Sequence, residues 1–203
     1  MEYFNPLNLP ILSQRWSQQR GSELLVEDYT SELVARRSIN GIFSATIQFG
    51  QLEKYLMNPS GKRFFEGAIL LFLRRTDLEK QAVSLAAASL TNHWGFEVPE
   101  IENQFSEKQM RDALVAAIDL IHRENSGWLQ FFSELKIKPV EVTSDEVNQQ
   151  HFSLMQRIAE MMNLVVDRTK LELMACVDHP YEGQRTLKQD LSRMLTKESG
   201  ALN

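Results

Sequence analysis

The chain has 203 residues, of which 43% are hydrophobic and 24% are charged. This length suffices for one folded domain, and the composition is that of a globular protein rather than a disordered one. The net charge of −5 gives no bulk attraction to nucleic acids. With Cys176 as the single cysteine and no leader-like segment at the start, the sequence predicts a protein of the reducing cytoplasm.

The beginning of the chain predicts an arm and a short helix. Residues 1–12 contain Pro6 and Pro10, which favour an extended arm over a helix or strand. A short helix is expected to follow, over about Leu12–Gln19.

The next segment matches two patterns. Asn40-Gly41 is a strong hairpin signal, because both residues tolerate positive φ, and it favours a hairpin over 33–48. Apolar residues at helical spacing leave open one continuous helix over 40–56 instead. In the favoured interpretation, a helix over Gln51–Met57 comes after the hairpin.

The run FFEGAILLFLRR, residues 64–75, is the most apolar stretch of the chain. It is too short to cross a bilayer, which needs about 20 apolar residues. It also lacks the polar face of a helix that lies on a membrane surface. The run therefore predicts a buried helix, with Leu71 and Phe72 both in the core.

Two helices are expected in the middle of the chain. Asp77 is placed to cap the first, whose small residues Ala82, Ala86 and Ser89 would let another helix approach closely. The second begins at Ser106 and is expected to end at Asn125 and Gly127. Its predicted apolar face consists of Met110, Leu114, Ala117, Ile118 and Ile121.

Shorter elements should follow that second helix. The sequence WLQFFSEL is typical of a short aromatic helix, and KIKPVEVT alternates as a strand does. Pro139 lacks a backbone N–H and restricts this strand to the edge of a sheet.

A three-four apolar spacing predicts one long helix over 145–176. Its methionine-rich side is wide enough to bind a second copy or another protein, because methionine adapts to irregular surfaces. The residues predicted to bind a partner there are Met155, Met161, Met162, Val165 and Val166. A C-terminal amphipathic helix with a loose tail, residues 184–203, completes the expected single domain of 1–203.

Candidate chemistry is sparse. Asp119 and His122 lie three residues apart, so on a helix both could bind one metal ion. Cys176 and His179 could supply half of a zinc site. The sequence has no nucleophile elbow, phosphate-binding glycine loop or dinucleotide fingerprint, and it predicts no cofactor. An enzyme with dispersed catalytic residues stays open.

Basic residues concentrate between positions 60 and 75. Lys62, Arg63, Arg74 and Arg75 could contact a nucleic-acid backbone, with phenylalanines nearby for stacking. The alternative is that they are ordinary polar residues at the two ends of helices, where the last turn favours cations.

Together these patterns predict a mainly α fold, an irregular bundle of five to seven helices with a small β-hairpin or edge strand. The function expected is that of a non-enzymatic interaction module, such as an adaptor, regulator or assembly subunit. It would bind a protein partner or itself through helical faces, without a membrane. The alternatives are an accessory nucleic-acid-binding protein and a metal-dependent helical enzyme.

Overall fold

The computed structural model describes residues 3–4, 8–21, 26–94, 104–165, 167, 169 and 185–200. It is mainly helical with one two-stranded parallel sheet, so the predicted fold class is confirmed. The described residues contain nine α-helices and a short π-helix rather than five to seven helices, because three of the nine are pieces of six residues or fewer. None of the described helices has a stretch long and apolar enough to cross a bilayer.

The elements follow in chain order. They are α1 (Asn8–Arg20), α2 (Val26–Arg37), α3 (Phe49–Gln51), a π-helix (Leu52–Leu56), α4 (Pro59–Arg63), β1 (Leu71–Arg74), α5 (Leu78–Thr91), α6 (Glu107–Glu134), β2 (Val140–Thr143), α7 (Ser144–Gln149), α8 (His151–Met161) and α9 (Arg185–Gly200). The chain groups into two compact units. One consists of Met1–Leu70 with Gly127–Phe131, and the other of Leu71–Ser126 with Phe132–Asn203.

Aromatic packing forms the core of the first unit. The Tyr29 ring stacks on Trp16 with centroids 5.4 Å apart, and Phe4 meets it edge-on. The buried Tyr29 hydroxyl donates a hydrogen bond to the Tyr3 carbonyl at 2.8 Å. Burial raises the pKa of Tyr29 to about 12, so this hydroxyl stays protonated at neutral pH.

The arm predicted for residues 1–12 is wrong over its second half, because α1 already begins at Asn8. Pro10 lies in the first turn of this helix, where its missing N–H breaks no helical hydrogen bond. The short helix expected over Leu12–Gln19 is confirmed as part of α1.

Of the hairpin expected over 33–48, only the turn is present. Asn40 and Gly41 have φ of 52° and 79°, and Ile39 forms an isolated antiparallel bridge with Ile42. The antiparallel strands expected on the two sides of the turn do not form, because the residues up to Arg37 belong to helix α2. The alternative helix over 40–56 is wrong too, since helical structure starts only at Phe49.

Gly127 allows an aromatic ring to pack directly against the backbone of α6. A Cβ at this position would overlap the ring of Phe49. The same ring meets Trp128 edge-on with centroids 5.9 Å apart. The predicted end of the helix at Asn125 and Gly127 is therefore wrong. The helix runs on to Glu134, because packing against Phe49 outweighs the weak helix propensity of glycine.

The second unit contains the parallel sheet. Leu71 of β1 pairs with Val140 of β2, and the register continues to Arg74 and Thr143. The helix predicted over 64–75 is thus wrong, since residues 64–67 form turns and β1 follows at Leu71. The strand predicted around Pro139 is confirmed over Val140–Thr143.

Strand geometry also corrects the burial predicted for the apolar run. Phe72 is buried, with its ring 5.3 Å from that of Phe132, whereas Leu71 is 45% exposed. Because successive side chains of a strand point to opposite faces, neighbouring residues cannot both enter the same core.

Helices α5, α6 and α9 contribute to one apolar cluster. Asp77 caps α5 as predicted, accepting a hydrogen bond from the Lys80 backbone N–H at 2.9 Å. Of the predicted stripe of small residues, Ala82 and Ala86 are buried and Ser89 is exposed. The fully packed members of the cluster are Ala82, Val83, Ala86, Ala87, Met110, Leu114, Ala117, Ile121, Leu187 and Leu191. The predicted apolar faces of α6 and α9 are therefore confirmed, with Ile118, Met194 and Leu195 partly buried at the margin.

The single helix predicted over 145–176 is wrong. Helix α7 ends before Gln150, whose φ of −129° and ψ of 26° are not helical. Helix α8 ends at Met161, and Asn163 has a positive φ of 54°. Cys176 and His179 lie outside the described residues.

A capping box starts α7 directly after β2. The Thr143 hydroxyl accepts a hydrogen bond from the Glu146 N–H at 3.1 Å, and the Glu146 carboxylate accepts one from the Thr143 N–H at 2.8 Å. The bond from the Thr143 N–H, and a second one that the Thr143 hydroxyl donates to the same carboxylate at 3.1 Å, hold the pKa of Glu146 below its usual value of 4.5. The nearby guanidinium of Arg157 lowers it further.

We expect Gly127→Ala to destabilise the protein by about 1–3 kcal/mol, because the added methyl group must displace the Phe49 ring. Gly50→Ala is the matched control, since a Cβ there meets nothing within 4 Å. Urea denaturation followed by circular dichroism would measure both. Equal stability of the wild type and Gly127→Ala would contradict the close packing.

Phe72→Ala should cost about 3–5 kcal/mol, as other truncations of buried phenylalanine do. Leu71→Ala should cost less than about 1 kcal/mol, because 45% of that side chain is already exposed. Chemical denaturation of the pair checks the strand assignment. A larger loss for Leu71→Ala would instead favour the helix.

Glu146→Gln should make stability less sensitive to acid. The folded pKa of Glu146 lies below the usual 4.5, so its contribution is present above pH 4.5 and lost as pH falls through the folded pKa. The variant should lose less stability than the wild type between neutral pH and that range. Denaturation curves at several pH values would show it, and parallel curves would refute it.

Candidate functional site

The carboxyl ends of β1 and β2 lie at the same edge of the sheet, because the two strands are parallel and end at the paired residues Arg74 and Thr143. Helix α5 begins four residues after Arg74, and α7 begins directly after Thr143. In open sheets of parallel strands, ligands bind at this edge. We call the residues 74–77 and 143–146 the carboxyl edge.

Two polar contacts hold the loop from β1 to α5, and one cation in it has no partner in the part of the protein that the structure describes. Arg74 forms an exposed ion pair with Glu141 of β2 at 3.4 Å. The Thr76 hydroxyl donates a hydrogen bond to the Asp145 carboxylate at 2.7 Å. In the described part of the chain, Arg75 is exposed and its guanidinium has no hydrogen-bond or ion-pair partner. The loop thus presents one uncommitted cation.

The first turn of α5 contains a second pair of charges. Lys80 Nζ lies 2.9 Å from the Asp77 carboxylate. Its side-chain hydrogen bond lowers the pKa of Asp77, and Asp77 in turn raises the pKa of Lys80. The negative charge of Asp145 also raises the pKa of Lys80. Asp77 therefore stays ionised beside a protonated lysine.

Arg157 of α8 contacts Glu146 at the carboxyl edge. Its guanidinium lies 3.4 Å from the Glu146 carboxylate and donates a hydrogen bond to the Glu141 carbonyl at 3.4 Å. These contacts connect α8 to both β2 and α7. The acidic side chains here are thus engaged by neighbouring donors, whereas Arg75 is exposed without a polar partner among the described residues.

The four basic residues predicted from the sequence fall into different elements. Lys62 and Arg63 lie in the last turn of α4, in the first unit. Arg74 ends β1 and Arg75 follows it, in the second unit. The two pairs of basic residues therefore lie in different elements, one in a helix and one at the end of a strand.

The metal pair lies on the surface of α6, where Asp119 and His122 are both exposed. No group of three or more His, Cys, Asp or Glu side chains among the described residues could hold a metal ion. The structure thus adds no third described ligand to this pair.

The predicted partner-binding residues lie on or just after α8. Met155 and Met161 are exposed, Met162 is half-buried and Val165 is fully exposed. Val166 lies outside the described residues. Self-association through this surface stays a prediction.

The sequence pattern gave no functional role to Thr76, Asp145 or Arg157. It also assigned Arg75 to the end of a helix rather than to the end of a strand. The signal was present in LLFLRRTD, an apolar run followed by two arginines and the cap of the next helix. That pattern is typical of a strand that delivers polar residues to the edge of a parallel sheet.

Comparison with known proteins gives the family. The Stf0 sulphotransferase family model matches residues 57–178, which is more than half of the chain and includes all of α4 through α8 with both strands. No curated protein matches the sequence.

This match overturns the predicted function. A non-enzymatic adaptor or regulator was inferred from the lack of local catalytic motifs, and the family consists of enzymes by its description. The match gives no support to the nucleic-acid and metal-enzyme alternatives. The error was to treat missing short motifs as evidence against catalysis, although loops at a sheet edge can supply dispersed residues. The chain belongs to the Stf0 sulphotransferase family.

Proposed function

We propose that the protein transfers a sulfuryl group from a nucleotide phosphosulfate to a hydroxyl or amine acceptor. The donor's phosphate groups bind at the carboxyl edge, with Arg75 as their principal contact. The observation that carries the proposal is the family match, because residues 57–178 contain β1, α5, β2 and α7 together.

The chemistry of sulfuryl transfer determines which groups the site must contain. The acceptor oxygen or nitrogen forms a bond to sulfur while the bond from sulfur to the bridging oxygen breaks. The electron pair of the broken bond leaves with the nucleotide phosphate, and the acceptor's proton passes to a base or to water. Negative charge builds up on the leaving phosphate, so cations and N–H donors aimed at it accelerate the step.

The carboxyl edge supplies such groups. Arg75 is exposed beside the start of α5, a 14-residue helix whose N-terminal end carries partial positive charge. An arginine can donate two parallel hydrogen bonds to a phosphate. The nearby acids do not cancel this, because Asp77 is paired with Lys80 and Glu141 with Arg74.

The transfer test uses adenosine phosphosulfate labelled on sulfur, with and without a phosphate on its ribose, and a panel of sugars, phenols, alcohols and amines. Label that moves from donor to acceptor supports the proposal. Heat-denatured protein is the control for uncatalysed transfer. A complete lack of transfer and of nucleotide binding by the folded protein would refute it.

Arg75→Ala should weaken binding of the donor about 10- to 100-fold, because a hydrogen bond to a charged group contributes roughly 1.5–3 kcal/mol. Arg75→Lys should recover part of the loss, since it keeps the charge but not the paired hydrogen bonds. Arg63→Ala, which removes an exposed arginine of the first unit, is the matched control and should bind as the wild type does. Calorimetric titration with the desulfated nucleotide measures all three, and wild-type affinity of Arg75→Ala would remove Arg75 from the site.

A further inference from the structure

The loop that presents Arg75 is held on both sides. Of residues 74–77, Arg74 contacts Glu141, Thr76 bonds to Asp145, and Asp77 caps α5. In the described part of the chain, only Arg75 among these four lacks a polar partner. Its backbone is therefore fixed while its side chain is free to meet a ligand.

The hydrogen bond from Thr76 to Asp145 joins the connection after β1 to the start of the helix after β2. The two residues are 69 positions apart in the chain. At 2.7 Å it is shorter than the 3.4 Å contact between Arg74 and Glu141. It also acts on the residue next to Arg75, so losing it would release the loop directly beside the proposed phosphate contact.

Asp145 is itself well placed to hold that loop. It lies in the first turn of α7, which the capping box of Thr143 and Glu146 starts at a defined position after β2. Arg157 ties the same turn to α8 through Glu146. Thr76 thus bonds to a side chain whose backbone is held by the first turn of α7.

A carboxylate beside an anion site is unfavourable for the ligand unless it has another task. We propose that Asp145 is a positioning residue that acts through Thr76 to hold Arg75 in place for the donor phosphate, an inference that rests on the proposed function. The task requires an oxygen that accepts the Thr76 hydrogen bond, and it does not require the charge.

That distinction sets the test. Thr76→Val and Asp145→Ala remove the hydrogen bond, and each should weaken binding of the desulfated nucleotide about tenfold, since misplacement of a binding group by about 1 Å can cost up to about 100-fold. Thr76→Ser keeps the donor and should bind close to the wild type. Asp145→Asn keeps an acceptor without the negative charge and should bind at least as tightly as the wild type. The double variant Thr76→Val with Asp145→Ala should be no weaker than either single variant, because both break one bond.

The background variant Arg75→Ala separates positioning from other effects. On that background Asp145→Ala should cause no further loss, because the residue it positions is gone. Both altered residues are exposed, so the variants should fold, and circular dichroism with thermal melting would verify it.

Three results would overturn the inference: wild-type binding by Thr76→Val and Asp145→Ala, equal weakening by Asp145→Asn and Asp145→Ala, or full additivity in the double variant. Normal nucleotide binding and transfer with these results would refute only the positioning role. A wild type that neither binds the nucleotide nor transfers sulfate would refute the proposed function as well.

Discussion

Parallel pairing of β1 with β2 is the constraint on which the rest of the described second unit depends. Antiparallel strands would place their ends at opposite edges, whereas these two end together at Arg74 and Thr143. The same pairing requires a long crossover, which is the segment that contains α5 and α6. One backbone arrangement therefore determines both the position of the helical cluster and the meeting of Thr76 with Asp145.

Local signals were sufficient to predict much of this fold. The Asp77 cap, the positive-φ turn at Asn40-Gly41 and the apolar face of α6 each depend on residues within one or two turns of each other. Elements that depend on contacts between distant parts of the chain were predicted wrongly. Leu71–Arg74 is a strand because a segment far along the chain pairs with it, and α6 continues through Gly127 because the Phe49 ring fills the space beside it.

The candidate site was harder to predict for the same reason. Arg74 and Arg75 were singled out for their charge. Because β1 is a strand, they lie at its carboxyl end, beside the turn that follows β2. The contact between Asp145 and Thr76 has no local signal, because the two residues are 69 positions apart in the chain. The family match then identified chemistry that neither charge nor spacing could specify.

The crossover also has consequences for folding during synthesis. The contact between Thr76 and Asp145 spans 69 residues, so β1 leaves the ribosome well before the strand that completes its ladder exists. At a typical elongation rate of about 5–20 residues per second, the interval lasts several seconds. Helices α5 and α6 form on microsecond timescales and can assemble in that time, while the apolar β1 waits with unpaired backbone groups. Nascent chains should therefore be most prone to aggregation and most dependent on chaperones within this interval, and less so once β2 has docked.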